Sequence, residues 1–127
     1  MAASTFGEYL RDLRKQQKPP MTQEQLAAAI GRSKMTVSQF EMGKNAPPQG
    51  SLLERIIGSL QLTKDEENLL RFLASSARKT VPSDIEHYFF EHPSICKAIR
   101  AAKNTDADDA FWDSLSDQIG ESNGKED

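Results

Sequence analysis

Apolar residues recur along this chain at helical intervals and almost nowhere in alternation. Phe6, Leu10 and Leu13 stand at i, i+4 and i+7 behind Ser4 or Thr5, either of which can cap a helix start. Pro19-Pro20 ends that segment, because proline donates no amide and restricts the residue before it. Thr22 with Gln25 three residues on forms a capping box, and Leu26, Ala27 and Ile30 make the buried side of the short helix that follows. Gly31 supplies the left-handed backbone of its end. Ser33 caps a third helix whose inner side is Val37 and Phe40 and whose stop is Gly43. Asn45–Gly50 reads as a turn-rich loop. A fourth helix follows on Leu52, Leu53, Ile56, Ile57 and Leu60. A fifth is opened by the Thr63/Glu66 box and is expected to bury Leu69, Leu70, Phe72, Leu73 and Ala77.

Beyond residue 80 the pattern weakens but stays helical. One segment begins near Pro82, with Ser83 or Asp84 at its start and Ile85, Tyr88 and Phe89 inward; Tyr88-Phe89-Phe90 is read as core. A short helix carries Ile95, Cys96 and Ile99. A last one carries Phe111, Leu115 and Ile119 at i, i+4 and i+8, with Trp112 adjacent and the acidic Asp106–Asp109 stretch in its first turn. Residues 121–127 are polar and expected to be disordered. The fold class is all-α, divided into 1–80, a helical extension 81–120 and the tail.

The segment Gln23–Phe40 has its own geometry. Counted from Gln23, Ala27 is fifth, Gly31 ninth, Val37 fifteenth and Phe40 eighteenth. Two helices crossing steeply through a tight turn leave no room for a large side chain at Ala27, and the turn needs positive φ at Gly31. Leu26, Ile30, Val37 and Phe40 fill the angle between them. The second helix then presents Ser33, Lys34, Met35, Thr36, Ser38 and Gln39 outward. Two amphipathic helices around a glycine also occur in ordinary bundles, but there the outward side has no reason to consist mostly of short or flexible polar residues.

The stretch TQEQLAAAIGRSKMTVSQFEMGK, Thr22–Lys44, resembles the helix-turn-helix of Xre/Cro/C1-type transcriptional regulators. FGEYLRDLRKQ is similar to that family's first helix, and the likeness to its five-helix lambda-repressor-like domain extends to about Leu73. The resemblance implies that Ser33, Lys34, Met35, Thr36, Ser38 and Gln39 meet base edges or adjacent phosphates in the major groove. It implies phosphate contacts for Gln23, at a helix N-terminus, and for Lys44 and Asn45 after the recognition helix. The chemistry agrees: Lys34 can donate to guanine, Gln39 can pair with adenine, and Ser33 or Thr36 suits either. Arg14, Arg32 and Lys44 are further candidates to neutralise phosphate. Met35 departs from the family, which usually has a polar residue there. The looser likeness of VPSDIEHYFFEHPSICKAIR is to extensions of some small regulators of this type.

Charge sharpens that picture. Lys and Arg number 16 against 19 Asp and Glu, but residues 1–50 hold seven basic and four acidic groups, whereas residues 81–127 hold four and eleven. A polyanion would meet the N-terminal part and be repelled by the C-terminal part. One helix-turn-helix makes few base contacts, so a homodimer on a palindromic double-stranded operator is expected, with half-sites roughly 34 Å apart. Tyr88, Phe89, Phe90, Phe111 and Trp112 are the residues expected to form the dimer or partner surface. The role expected is repressor or autoregulator. The alternative is an antitoxin or partner-controlled regulator whose acidic region grips a toxin or a protease.

The remaining chemistry is excluded by what is missing. A single Cys96 rules out an internal disulfide framework and a multi-thiolate zinc site. His92 and Cys96 would need two further metal ligands that nothing nearby supplies. No GxSxG, GK[ST] or HExxH occurs, so no enzyme and no cofactor are expected. No apolar run is long enough for a membrane span, and the N-terminal stretch contains no signal-peptide core, so a cytoplasmic protein is expected.

Overall fold

The computed structural model describes residues 5–124, and side chains through residue 120. Every regular element is a helix: α1 Phe6–Lys15, α2 Gln23–Ile30, α3 Lys34–Met42, α4 Gly50–Ser59, α5 Lys64–Ser76, α6 Glu86–Glu91, α7 Ser94–Asn104 and α8 Asp109–Gly124. None of them is long and apolar enough to cross a membrane. The described chain forms two compact units that divide at His87/Tyr88, inside α6.

In the first unit the helix boundaries follow local chemistry. Thr5, Thr22 and Thr63 each accept a hydrogen bond from the backbone N–H three residues on, and the side-chain oxygens of Glu8, Gln25 and Glu66 accept one from the backbone N–H of the capping residue. The N-cap of α1 is therefore Thr5. Gly31 and Gly43 end α2 and α3 with φ of 70° and 74°, where a Cβ would be strained. Leu10, Leu13, Leu26, Ile30, Val37, Ile56 and Leu70 are fully buried in one core drawn from α1 to α5. α2 packs against both α3 and α4, while α1 lies against α3 and α5.

The structure departs from the periodicity in α5 and beyond. Leu69, Phe72 and Ala77 are exposed, and the inner side of α5 is instead Leu70, Leu73, Ala74 and Ser75. Leu69, Leu70, Phe72, Leu73 and Ala74 span about 200° of the helix, wider than the arc that the core covers, so the pattern could not say which part faces inward. α6 starts at Glu86 rather than near Pro82, and it has no buried residue. Tyr88 and Phe90 are exposed and Phe89 is half-buried, so the trio is not core.

Within the second unit Ala102 is the one buried residue among those described, and Phe111, Leu115 and Ile119 on α8 are exposed. Asp108 accepts from the Phe111 amide at 3.0 Å and opens α8. The helix runs through Gly124, so residues 121–124 are not the disordered tail expected from composition; the remainder of that stretch lies outside the described residues.

Candidate nucleic-acid interface

The site is assembled from the contact between α1, α2 and α3. Gly7 lies where α1 crosses α3: a Cβ added there would stand 2.3 Å from the Phe40 carbonyl oxygen and 2.5 Å from that of Glu41. Only glycine permits this approach. The signal for it was a glycine inside an otherwise good amphipathic helix, a residue that costs about 1 kcal/mol there unless the backbone must come close to something.

Beside that crossing runs a buried polar network. Arg14 donates to both carboxylate oxygens of Glu41, Nε to Oε2 at 2.7 Å and Nη2 to Oε1 at 2.9 Å, with side-chain exposures of 8% and 3%. Its Nη1 donates to the Met21 carbonyl at 2.8 Å, and Gln23 Nε2 donates to Glu41 Oε1 at 3.0 Å. Three segments are thereby tied to one carboxylate on α3. No buried side-chain polar atom lacks a partner among the described residues.

This network corrects one expectation. Arg14 is not available to neutralise phosphate, because it is buried and its guanidinium is committed to Glu41 and Met21. Gln23, half-buried at the start of α2, donates one side-chain amide hydrogen to Glu41. Glu41 itself was not singled out by sequence. The available signal was an acid on the inner side of α3, next to Phe40, which a folded chain tolerates only if the charge is paired.

The other side of α3 faces solvent. At 100° per residue Ser38, Met42, Met35 and Gln39 lie within one arc of about 100°, opposite Val37, Phe40 and Glu41. Met35 and Met42 are 68% and 60% exposed, and these four residues with Lys34 and Lys44 line a shallow groove. Ser33 caps α3 by accepting from the Thr36 amide at 3.2 Å, and the two hydroxyls lie 3.0 Å apart. Gln39 Oε1 accepts from Asn45 Nδ2 at 2.8 Å, which fixes the orientation of its amide. Lys34 makes a long ion pair, 3.6 Å, with Glu24, both ends well exposed. Arg32, Lys44 and Asn45 are exposed, and Arg78 donates to the Pro47 carbonyl at 2.6 Å, anchoring the loop after α3 to the end of α5.

Ala27, with Leu26, Ile30, Val37 and Phe40, is buried between α2 and α3 as the spacing required, and Gly31 makes the turn. Tyr88, Phe90 and Phe111 are exposed, whereas Phe89 and Trp112 are half-buried. No group of three or more metal-ligating side chains converges among the described residues.

Comparison with known proteins gives the same outline. The chain is similar to the Uncharacterized HTH-type transcriptional regulator RghRB of Bacillus subtilis (strain 168), at 28% identity over 121 residues covering 91% of this chain and 83% of that protein. No solved structure gives a match. A helix-turn-helix domain family matches residues 5–70, spanning α1 through most of α5 and more than half of the chain. On that match, and on the α2–turn–α3 unit it contains, the chain belongs to the helix-turn-helix domain family.

Proposed function

We propose that this protein binds double-stranded DNA sequence-specifically and regulates transcription as a repressor or autoregulator, acting as a homodimer on a palindromic operator in the cytoplasm. The observation that carries the reading is the outward stripe of α3, polar at Lys34, Ser38 and Gln39, held away from the core by the Arg14–Glu41–Gln23 network. Lys34 and Gln39 supply base-edge donors and acceptors, with Ser33, Met35, Thr36 and Ser38 beside them. Arg32, Lys44 and Asn45 flank the stripe and position it on phosphate. The name of the Bacillus relative agrees with a regulatory role. The exposed Tyr88, Phe90 and Phe111, with the half-buried Phe89 and Trp112, support a homodimer built on the extension.

Selection of bound fragments from random duplex DNA tests the reading, and a palindromic consensus is the expected result. On the selected duplex, Gln39→Ala is expected to weaken binding by about 1–3 kcal/mol and relax preference at one base pair. Lys44→Ala should instead weaken every duplex alike and reduce the salt slope by about one unit. Identical behaviour of the two variants on specific and random DNA would defeat this assignment of roles.

One observation favours a second use of the extension. α8 carries Asp109, Asp113 and Asp117 in a row and no basic residue, a face suited to a basic partner such as a toxin or a protease. Co-purification of such a partner, lost when the three aspartates become asparagine, is the result this alternative requires.

A further inference from the structure

α7 and α8 are amphipathic helices whose apolar sides stay largely uncovered. At 100° per residue Ile95, Ile99 and Ala102 fall within an arc of about 60° on α7, and Phe111, Trp112, Leu115 and Ile119 within about 100° on α8. Ile99 is 45% exposed, Phe111 49% and Ile119 54%. The turn between the helices closes on α7 itself: the Ala107 amide donates to the Ala102 carbonyl at 2.9 Å, and the Thr105 hydroxyl donates to that of Ala101 at 3.2 Å. It joins α7 to α8 without laying one arc on the other.

Each arc has a charged flank, and the two flanks are of opposite sign. Lys103 and Arg100 lie about 40° and 100° beyond Ile99, and Asp109 and Asp113 about 60° and 100° beyond Trp112, in the same rotational sense. All four are exposed, and none makes an ion pair among the described residues. Helices that carry their flanks on the same rotational side bring them together only when packed antiparallel. That packing sets the end of α7, with Arg100 and Lys103, beside the start of α8, with Asp109 and Asp113, and aligns the helix dipoles favourably. We propose that the extension is a self-complementary pairing surface, in which α8 of one copy packs antiparallel on α7 of a second copy and the reverse, with Arg100 and Lys103 facing Asp109 and Asp113 at both contacts. This rests on the homodimer reading above and adds to it which helices meet and what selects the partner. A second copy offers both helices what they lack at once, because a two-fold axis sets each against the other. A basic partner would satisfy α8 and leave α7 uncovered.

The test uses the full chain without DNA, in analytical ultracentrifugation. One variant, Arg100→Glu with Lys103→Glu, makes both flanks acidic; another, Asp109→Lys with Asp113→Lys, makes both basic. Each alone is expected to raise the dimer dissociation constant about ten-fold or more, since like charges then face each other at two contacts. Mixed in equal amounts, the two should form a heterodimer about as tight as the wild-type dimer, an outcome that pairing of α7 with α8 inside one copy does not give. The wild-type dimer should also loosen as salt rises from about 0.01 to 1 M, through screening of exposed pairs. Variants that each dimerise as wild type does, or a mixture that stays monomeric with helix content unchanged by circular dichroism, overturn the inference while the homodimer stands. Where a variant loses helix content the salt series decides, and a wild-type dimer indifferent to salt overturns the inference. A wild-type chain that stays monomeric removes the homodimer reading as well.

Discussion

Gly7 and Arg14 illustrate how single positions act through the backbone and charge they organise rather than through the ligand. A methyl group at Gly7 would overlap two backbone carbonyl oxygens in the last turn of α3. Gly7→Ala is therefore expected to destabilise the first unit by about 3 kcal/mol, the upper end of overpacking, despite alanine's better helix propensity. Urea unfolding checks this, and a midpoint at or above the wild-type value would show that α1 does not press on α3 as described. Arg14 teaches a different lesson. Its basic side chain is a candidate phosphate ligand in the sequence, and only its burial against Glu41 shows it to be a strut. Removing one partner of such a pair leaves the other charge buried and alone, at a cost of about 3–5 kcal/mol. Arg14→Ala should thus lower stability before it alters salt dependence on DNA, whereas Lys44→Ala does the reverse.

Among elements, the joint between α4 and α5 is held by an ion pair that titrates. Arg71 donates to Glu54 at 2.9 and 3.1 Å, and the Glu54 carboxyl is held below the ordinary glutamate range chiefly by those hydrogen bonds. A carboxyl with a depressed folded value stabilises the protein above the ordinary range and loses that contribution as pH falls through the folded value. Glu54 is nearly half exposed, so the pair contributes at most about 1 kcal/mol. Glu54→Gln is expected to flatten the acid side of the stability curve while shifting the neutral urea midpoint only slightly. A steeper loss between pH 5 and 3 in the variant than in wild type, about where glutamates titrate, would contradict this. At the same scale the caps explain why helix starts were legible: Thr22 with Gln25 and Thr63 with Glu66 are local hydrogen-bonded motifs whose partners lie three residues apart. α6 had no such motif, and its start was misplaced by about four residues.

For the whole molecule, the contrast between the two units carries the expectation. The unit ending at His87 contains the core drawn from α1 to α5, whereas Ala102 is the one buried residue described after Tyr88. On the homodimer proposed above, association would supply the burial that the described part of this stretch lacks. Removal of residues after His87 is expected to leave a folded monomer by light scattering and circular dichroism, with operator affinity reduced because each half-site is then bound singly. A truncated chain that kept the dimer mass would place the interface on the first unit, where Phe72 is the largest exposed side chain of α5.

From the residues alone came several properties that depend on near neighbours in the chain: the helical periodicity of α1 to α4, the Thr22/Gln25 and Thr63/Glu66 capping boxes, and the positive φ of Gly31 and Gly43. Tertiary structure alone decided which arc of α5 is inside, that Gly7 sits under two carbonyls of α3, and that Arg14 serves Glu41 rather than solvent. These facts pair positions as far as 34 residues apart, as Gly7 and Glu41 are. Periodicity records how often a side chain faces one way, but not what waits there, and it is the neighbour that settles whether a charge is a strut or a ligand.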